Sequence, residues 1–116
     1  MTKRDMRLYF DDVLKALAKI EQFIAGMSLE EFRKDPKTQD AVIRNFEIIG
    51  EAVKRIPEDL KTAHTEIPWR SAGDMRDFLI HDYPDIAADV VWKTATDDLP
   101  EFQKRIKELL ENLSNS

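Results

Sequence analysis

The chain has no cysteine, only three glycines and only two histidines in 116 residues. Without cysteine there can be no disulfide and no thiolate metal site. Three scattered glycines leave no Gly-rich loop of the kind that cradles a nucleotide phosphate. His64 and His81 stand far apart, and that spacing excludes a zinc site built on paired ligands. No metal or other cofactor is therefore expected. Long apolar runs are missing as well, so nothing reaches the roughly 20 residues needed to span a bilayer. The opening MTKRDMRLYFDD lacks the apolar centre of a secretion signal. The expectation is a soluble, cytoplasmic protein without a membrane partner. An excess of basic residues is also lacking. The net charge of −5 argues against a protein that coats nucleic acid along its length. A local cleft with a few arginines is still compatible with it.

What is present is amphipathic. With 42% hydrophobic and 35% charged residues, the composition fits one globular domain over residues 1–116. Met6, Phe10, Val13, Leu17, Ile20 and Ile24 recur at three- and four-residue spacings and predict a helix over roughly 4–26, stopped by Gly26. SLEEF predicts a short helix with a reciprocal cap between Ser28 and Glu31. Asp35-Pro36 predicts the start of a helix running to about Ile56, with Val42, Phe46, Ile49, Val53 and Ile56 buried. Gly50 lies on the apolar side of that helix, where a missing side chain permits close packing. PEDLKTA reads as a short helix, and Ile67-Pro68-Trp69 leads into another that carries RDFLIHDY and stops before Pro84. A helix from about Asp85 passes through Val90, Val91 and Trp92. Asp97-Asp98-Leu99-Pro100 then kinks it or divides it in two, the second part capped by an aspartate. Phe102, Ile106, Leu109 and Leu113 form the last stripe. Nothing alternates with a period of two. The expected fold is all-α, an antiparallel bundle of four or five helices.

RDFLIHDY holds the residues best suited to chemistry. Arg76 offers a fixed fork of donors matched to phosphate. His81 titrates near neutrality and can take or give a proton. Tyr83 offers a hydroxyl. On an ideal helix Arg76 and His81 stand roughly 140° apart, so they would not share a face. They could meet at a fraying end before Pro84 or across a subunit boundary, and a plain helix end is the competing structural reading. Elsewhere, His64 falls in a polar loop and reads as solvated. Arg44 and Glu51, seven apart, share a stripe beside the buried one and can line a groove or form an ion pair. Trp69 and Trp92 read as core or interface anchors.

Three segments, AVIRNFEIIGEAVKRIP, IPWRSAGDMRDFLIHDY and VVWKTATDDLP, resemble the HepT-like family of HEPN-domain proteins. The family's Arg-x4-His-x-Tyr motif is matched by Arg76, His81 and Tyr83. The resemblance implies an all-α HEPN-like homodimer with the two motifs meeting in an interface cleft. It also implies a metal-independent ribonuclease that serves as the toxin of a toxin–antitoxin pair. The implied antitoxin partner is a minimal nucleotidyltransferase that transfers AMP to the motif tyrosine, here Tyr83. Asp77 occupies a place that is often polar in the family and is assigned a supporting role beside Arg76 and His81. Many relatives follow the tyrosine with Phe-Gly, whereas this chain has Pro84-Asp85. The alternative reading is a non-catalytic helical subunit that binds a nucleotide or a partner nucleotidyltransferase.

Overall fold

Polar caps set where the helices begin. The computed structural model describes the backbone of residues 2–75 and 84–115, and the side chains of residues 2–75 and 88–113. Helix α1 (Lys3–Ile24) starts behind Thr2, whose hydroxyl accepts from the Asp5 N–H while the Asp5 carboxylate accepts from the Thr2 N–H, each at 3.1 Å. Helix α2 (Leu29–Arg33) opens with the predicted reciprocal cap: the Glu31 N–H donates to Ser28 Oγ at 3.2 Å, and the Ser28 N–H donates to Glu31 Oε1 at 3.0 Å. Between the two, Gly26 takes a φ of 75°, a left-handed turn that a side chain would strain. Asp35 caps α3 (Pro36–Lys54), accepting from the Thr38 N–H at 3.0 Å and from the Thr38 hydroxyl at 2.7 Å. Pro36 sits at the first position, where its missing N–H costs nothing. Two short helices follow, α4 (Glu58–Ala63) behind Pro57 and α5 (Trp69–Gly73) behind Pro68.

From Pro84 the chain is helical to Asn115: α6 (Pro84–Lys93), a π-helical turn (Thr94–Asp98) and α7 (Leu99–Asn115). The sequence left a kink or two helices open, and the structure takes neither in its simple form. Asp97 and Asp98 lie inside the π turn and cap no new helix. The reason is Pro100, which cannot donate and would collide with a carbonyl one turn back. The wider turn, in which the Leu99 N–H reaches back to the Thr94 carbonyl, accommodates it. Hydroxyls of Thr94 and Thr96 donate to the Val90 and Trp92 carbonyls at 2.9 Å each and occupy acceptors in the loosened stretch.

The apolar stripes converge on one core. Phe10, Val13, Leu17 and Ile20 of α1 are buried together with Val42, Phe46, Ile49 and Val53 of α3 and with Phe102, Ile106 and Leu109 of α7. The outermost stripe residues, Met6, Ile24 and Leu113, are only partly buried, as helix ends allow. Helix α1 packs on α3 and α7, while α3 also packs on α2, α5 and α6. Two aromatic pairs tie the short elements in. Phe10 meets Trp69 at 6.4 Å between ring centroids, and Phe32 meets Trp92 at 5.2 Å. The architecture is the predicted all-α, HEPN-like one, with no strand among the described residues. No described helix is long and apolar enough to cross a membrane.

Phe10 has no solvent exposure and touches the element that precedes RDFLIHDY. Phe10→Ala is expected to destabilise the fold by about 3–5 kcal/mol, read as a lowered urea midpoint at unchanged slope.

Candidate functional site

Arg76, Asp77, His81 and Tyr83 lie outside the described residues, as does the helix expected over RDFLIHDY. Both flanks of that stretch are described, and both are anchored. Upstream, the His64 carbonyl accepts from Trp69 Nε1 at 2.9 Å and from the Ile67 N–H at 3.2 Å, closing the 64–69 loop. His64 is thus not merely solvated. Its ring is half-buried and stands 3.4 Å from Glu66. Trp69 is buried against Phe10, as an anchor should be. Gly73 lies against the Lys54 side chain: a Cβ there would stand 3.4 Å from Lys54 Cε, an ordinary contact distance. Gly50, where the sequence suggested close packing, is buried within α3.

Downstream, α6 is clasped to α2. Arg33 Nε and Nη2 donate to the two carboxylate oxygens of Asp89 at 2.8 Å each, and Nη1 donates to Glu30 at 2.7 Å. This is the bidentate fork that fits a carboxylate best. Hydrogen bonds from Arg33 hold the Asp89 carboxyl below its usual range, against a smaller opposing effect of desolvation. The same bonds raise the Arg33 guanidinium. Trp92, packed on Phe32, gives the clasp an apolar floor.

Arg44 and Glu51 line one groove. It is an open trough of about 330 Å³ between α1 and α3, walled also by Tyr9 and Asp12 from α1, by Glu47 and Ile48 from α3 and by Arg55 at the α3 C-cap. Arg44, Ile48, Glu51 and Arg55 follow one another at helical spacings of four, three and four, so a single stripe of α3 forms the wall. Beside Arg44, Asn45 is buried. Its amide nitrogen donates to the Ala41 carbonyl at 2.8 Å, while its Oδ1 has no partner among the described residues. A buried acceptor left unpaired typically costs about 1–3 kcal/mol. A second groove, of about 450 Å³, runs between α3, α4 and α5, with Lys54, Lys61, Arg70, Glu58 and Asp74 among its walls. No cluster of three or more potential metal ligands occurs among the described residues.

The profile of the HepT-like ribonuclease family matches residues 13–109, a span that includes both α3 and RDFLIHDY. A probable ribonuclease HepT of Thermococcus cleftensis is 46% identical over 92% of this chain and 97% of its own length. A protein of Methanocaldococcus jannaschii provisionally named as an RNase is 39% identical over 97% of this chain and 93% of its own. One from Caldanaerobacter subterraneus, likewise provisionally named as an RNase, is 37% identical over 90% and 94%. The chain belongs to the HepT-like ribonuclease family. No solved structure matches it.

In this HepT-like chain, sequence reading located Arg44 and Glu51 but missed Tyr9 and Asp12, which reach the same groove from another helix. It also missed Lys54, Lys61 and Arg70, each the lone basic residue of a helix's described end or turn. Asn45 carried a legible signal, a polar residue directly before Phe46 on the buried stripe.

The Arg33–Asp89 clasp gives acid stability a definite sign. Because the folded-state pKa of Asp89 is depressed, the contribution is complete above the ordinary value of 3.8 and is lost as pH falls through the lower folded value. The melting temperature should therefore be flat with respect to this pair from neutral pH down to about 4 and fall below it. Asp89→Asn should lower the melting temperature at neutral pH and flatten the acid decline, as followed by circular dichroism.

Proposed function

We propose that this protein is the toxin of a toxin–antitoxin pair, a metal-independent endoribonuclease working at the cleft of a homodimer in the cytoplasm. The observation that carries the reading is the family match across residues 13–109, with Arg76, His81 and Tyr83 at the spacing of the Arg-x4-His-x-Tyr motif. The named relatives support the ribonuclease activity, since each is named for it over nearly its full length.

The chemistry follows from the residue types. A ribose 2′-hydroxyl loses its proton to His81, and its oxygen bonds to the adjacent phosphorus as the bond to the 5′-oxygen breaks. That leaving oxygen collects a proton from the His81 of the second copy. The products are a 2′,3′-cyclic phosphate and a 5′-hydroxyl, and no metal ion enters the balance. Arg76 holds the scissile phosphate and offsets charge that grows on its oxygens. Asp77 orients Arg76 or His81. Arg44 and Glu51 line the approach to the cleft. Tyr83 accepts AMP from a minimal nucleotidyltransferase antitoxin. The added phosphate places a bulky anion among the groups that must hold RNA, closing the cleft by bulk and by repulsion.

Purified protein incubated with RNA and a chelator should cleave it. His81→Ala should lower the rate by about 10²–10⁴-fold while light scattering still reports the dimer. Undiminished cleavage by His81→Ala would sink the assignment. Co-production with the nucleotidyltransferase from the adjacent reading frame should add one AMP to the protein, seen by mass spectrometry. Tyr83→Phe should remain unmodified and toxic, and an AMP found on another residue would overturn the role given to Tyr83.

A further inference from the structure

The groove between α3, α4 and α5 differs in charge from the one between α1 and α3. Arg44 and Arg55 face Asp12, Glu47 and Glu51 in the α1–α3 groove, so carboxylates prevail there. Lys54, Lys61 and Arg70 face only Glu58 and Asp74 in the other, so cations prevail, in a chain of net charge −5. One of those two carboxylates is engaged already, since Glu58 Oε1 stands 3.5 Å from Lys61 Nζ. Among the described residues, Lys54 and Arg70 have no ion-pair or hydrogen-bond partner on their side chains.

The backbone explains how those cations come together. Lys54 ends α3, Lys61 lies in the last turn of α4, and Arg70 lies on the single turn of α5. The Lys54 stem lies against α5 at Gly73, with Cε and Cγ at 3.4 and 3.6 Å from where a Cβ would be, ordinary contact distances. Thr62 and Thr65 add hydroxyls along the floor. The groove also leads somewhere. Gly73 and Asp74 are among its lining residues, and Arg76 follows Asp74 by two residues in the chain.

We propose that this groove is a phosphate-binding track for single-stranded RNA beside the scissile bond, with Lys54, Lys61 and Arg70 as its cationic wall. An excess of cations lining an open trough of about 450 Å³ suits a strand recognised by charge, not by base sequence. The proposal rests on the ribonuclease reading only for where the strand leads, because RNA binding can be measured without cleavage.

The test uses fluorescence anisotropy of a fluorescein-labelled oligouridylate titrated with full-length protein over a series of KCl concentrations. The His81→Ala background keeps the RNA whole. Adding Lys54→Gln with Arg70→Gln should weaken binding roughly tenfold and flatten the plot of log affinity against log salt by about 1.4, the loss of two phosphate contacts on a single strand. A matched neutralisation on exposed positions of α7, Lys104→Gln with Lys107→Gln, changes net charge equally and should leave the slope unchanged. Lys54→Arg with Arg70→Lys, which keeps both charges, should retain the wild-type slope. An unaltered slope and affinity in the first pair, in protein with a normal melting temperature, would overturn the proposal. So would unaltered RNA affinity accompanied by weakened binding of the nucleotidyltransferase, which would assign the groove to a protein. RNA bound through Lys54 and Arg70 but never cleaved by wild-type protein would remove the ribonuclease reading and leave the track standing.

Discussion

Helix α3 must be buried on several sides at once, and the rest of the molecule is arranged around that requirement. Its apolar stripe meets α1, and its flanks meet α2, α5 and α6. A helix so enclosed has few directions left in which to show polar side chains. Those that remain are narrow, so what they carry is concentrated. The stripe of Arg44, Ile48, Glu51 and Arg55 becomes one groove wall, and Lys54 at the helix end becomes part of another. Burial thus places charge as much as it places apolar groups. Asn45 shows the cost of this crowding, because a polar side chain one position from Arg44 is carried inside with an acceptor unmet among the described residues.

Charge on this molecule is informative locally and misleading in total. A net −5 argues against broad contact with nucleic acid, and the α1–α3 groove shares that acidic balance. Where helices α3, α4 and α5 end close together the balance reverses. The reversal depends on three cations from three helices, and an average over the chain cannot register it. Screening sharpens the point, since charges more than about 8 Å apart scarcely feel one another at physiological salt.

Features governed by near neighbours were legible in the sequence. The Ser28–Glu31 cap, the Asp35-Pro36 start, the Gly26 stop and the buried stripes of α1, α3 and α7 each depend on residues within a turn or two. The π turn was half legible. Pro100 announced an interruption, but whether the helix would break or widen depended on whether α7 could continue to bury Phe102, Ile106 and Leu109. Features that join distant segments were not legible. Arg33 and Asp89 are 56 positions apart, and each looks like an ordinary surface charge in its own helix. At the candidate site, seven-residue spacing sufficed to put Arg44 and Glu51 on one face, whereas their neighbours Tyr9 and Asp12 arrive from α1.

The proposed chemistry places its own demand on assembly. In-line displacement at phosphorus puts the attacking 2′-oxygen and the departing 5′-oxygen on opposite sides, so a proton is taken on one side and given on the other. A single imidazole cannot stand on both sides. The motif supplies one histidine per chain, and the other histidine, His64, is committed to a loop near Trp69 with its ring beside Glu66. A second copy offers the missing group at no cost in sequence, together with a second Arg76 for the phosphate. Such sharing requires that the motif be held firmly at its ends, since two separately folded chains must present it in register. In the proposed dimer, the Trp69 anchor before it and the Arg33–Asp89 clasp after it would serve that requirement, since both fix described chain on either side of the motif.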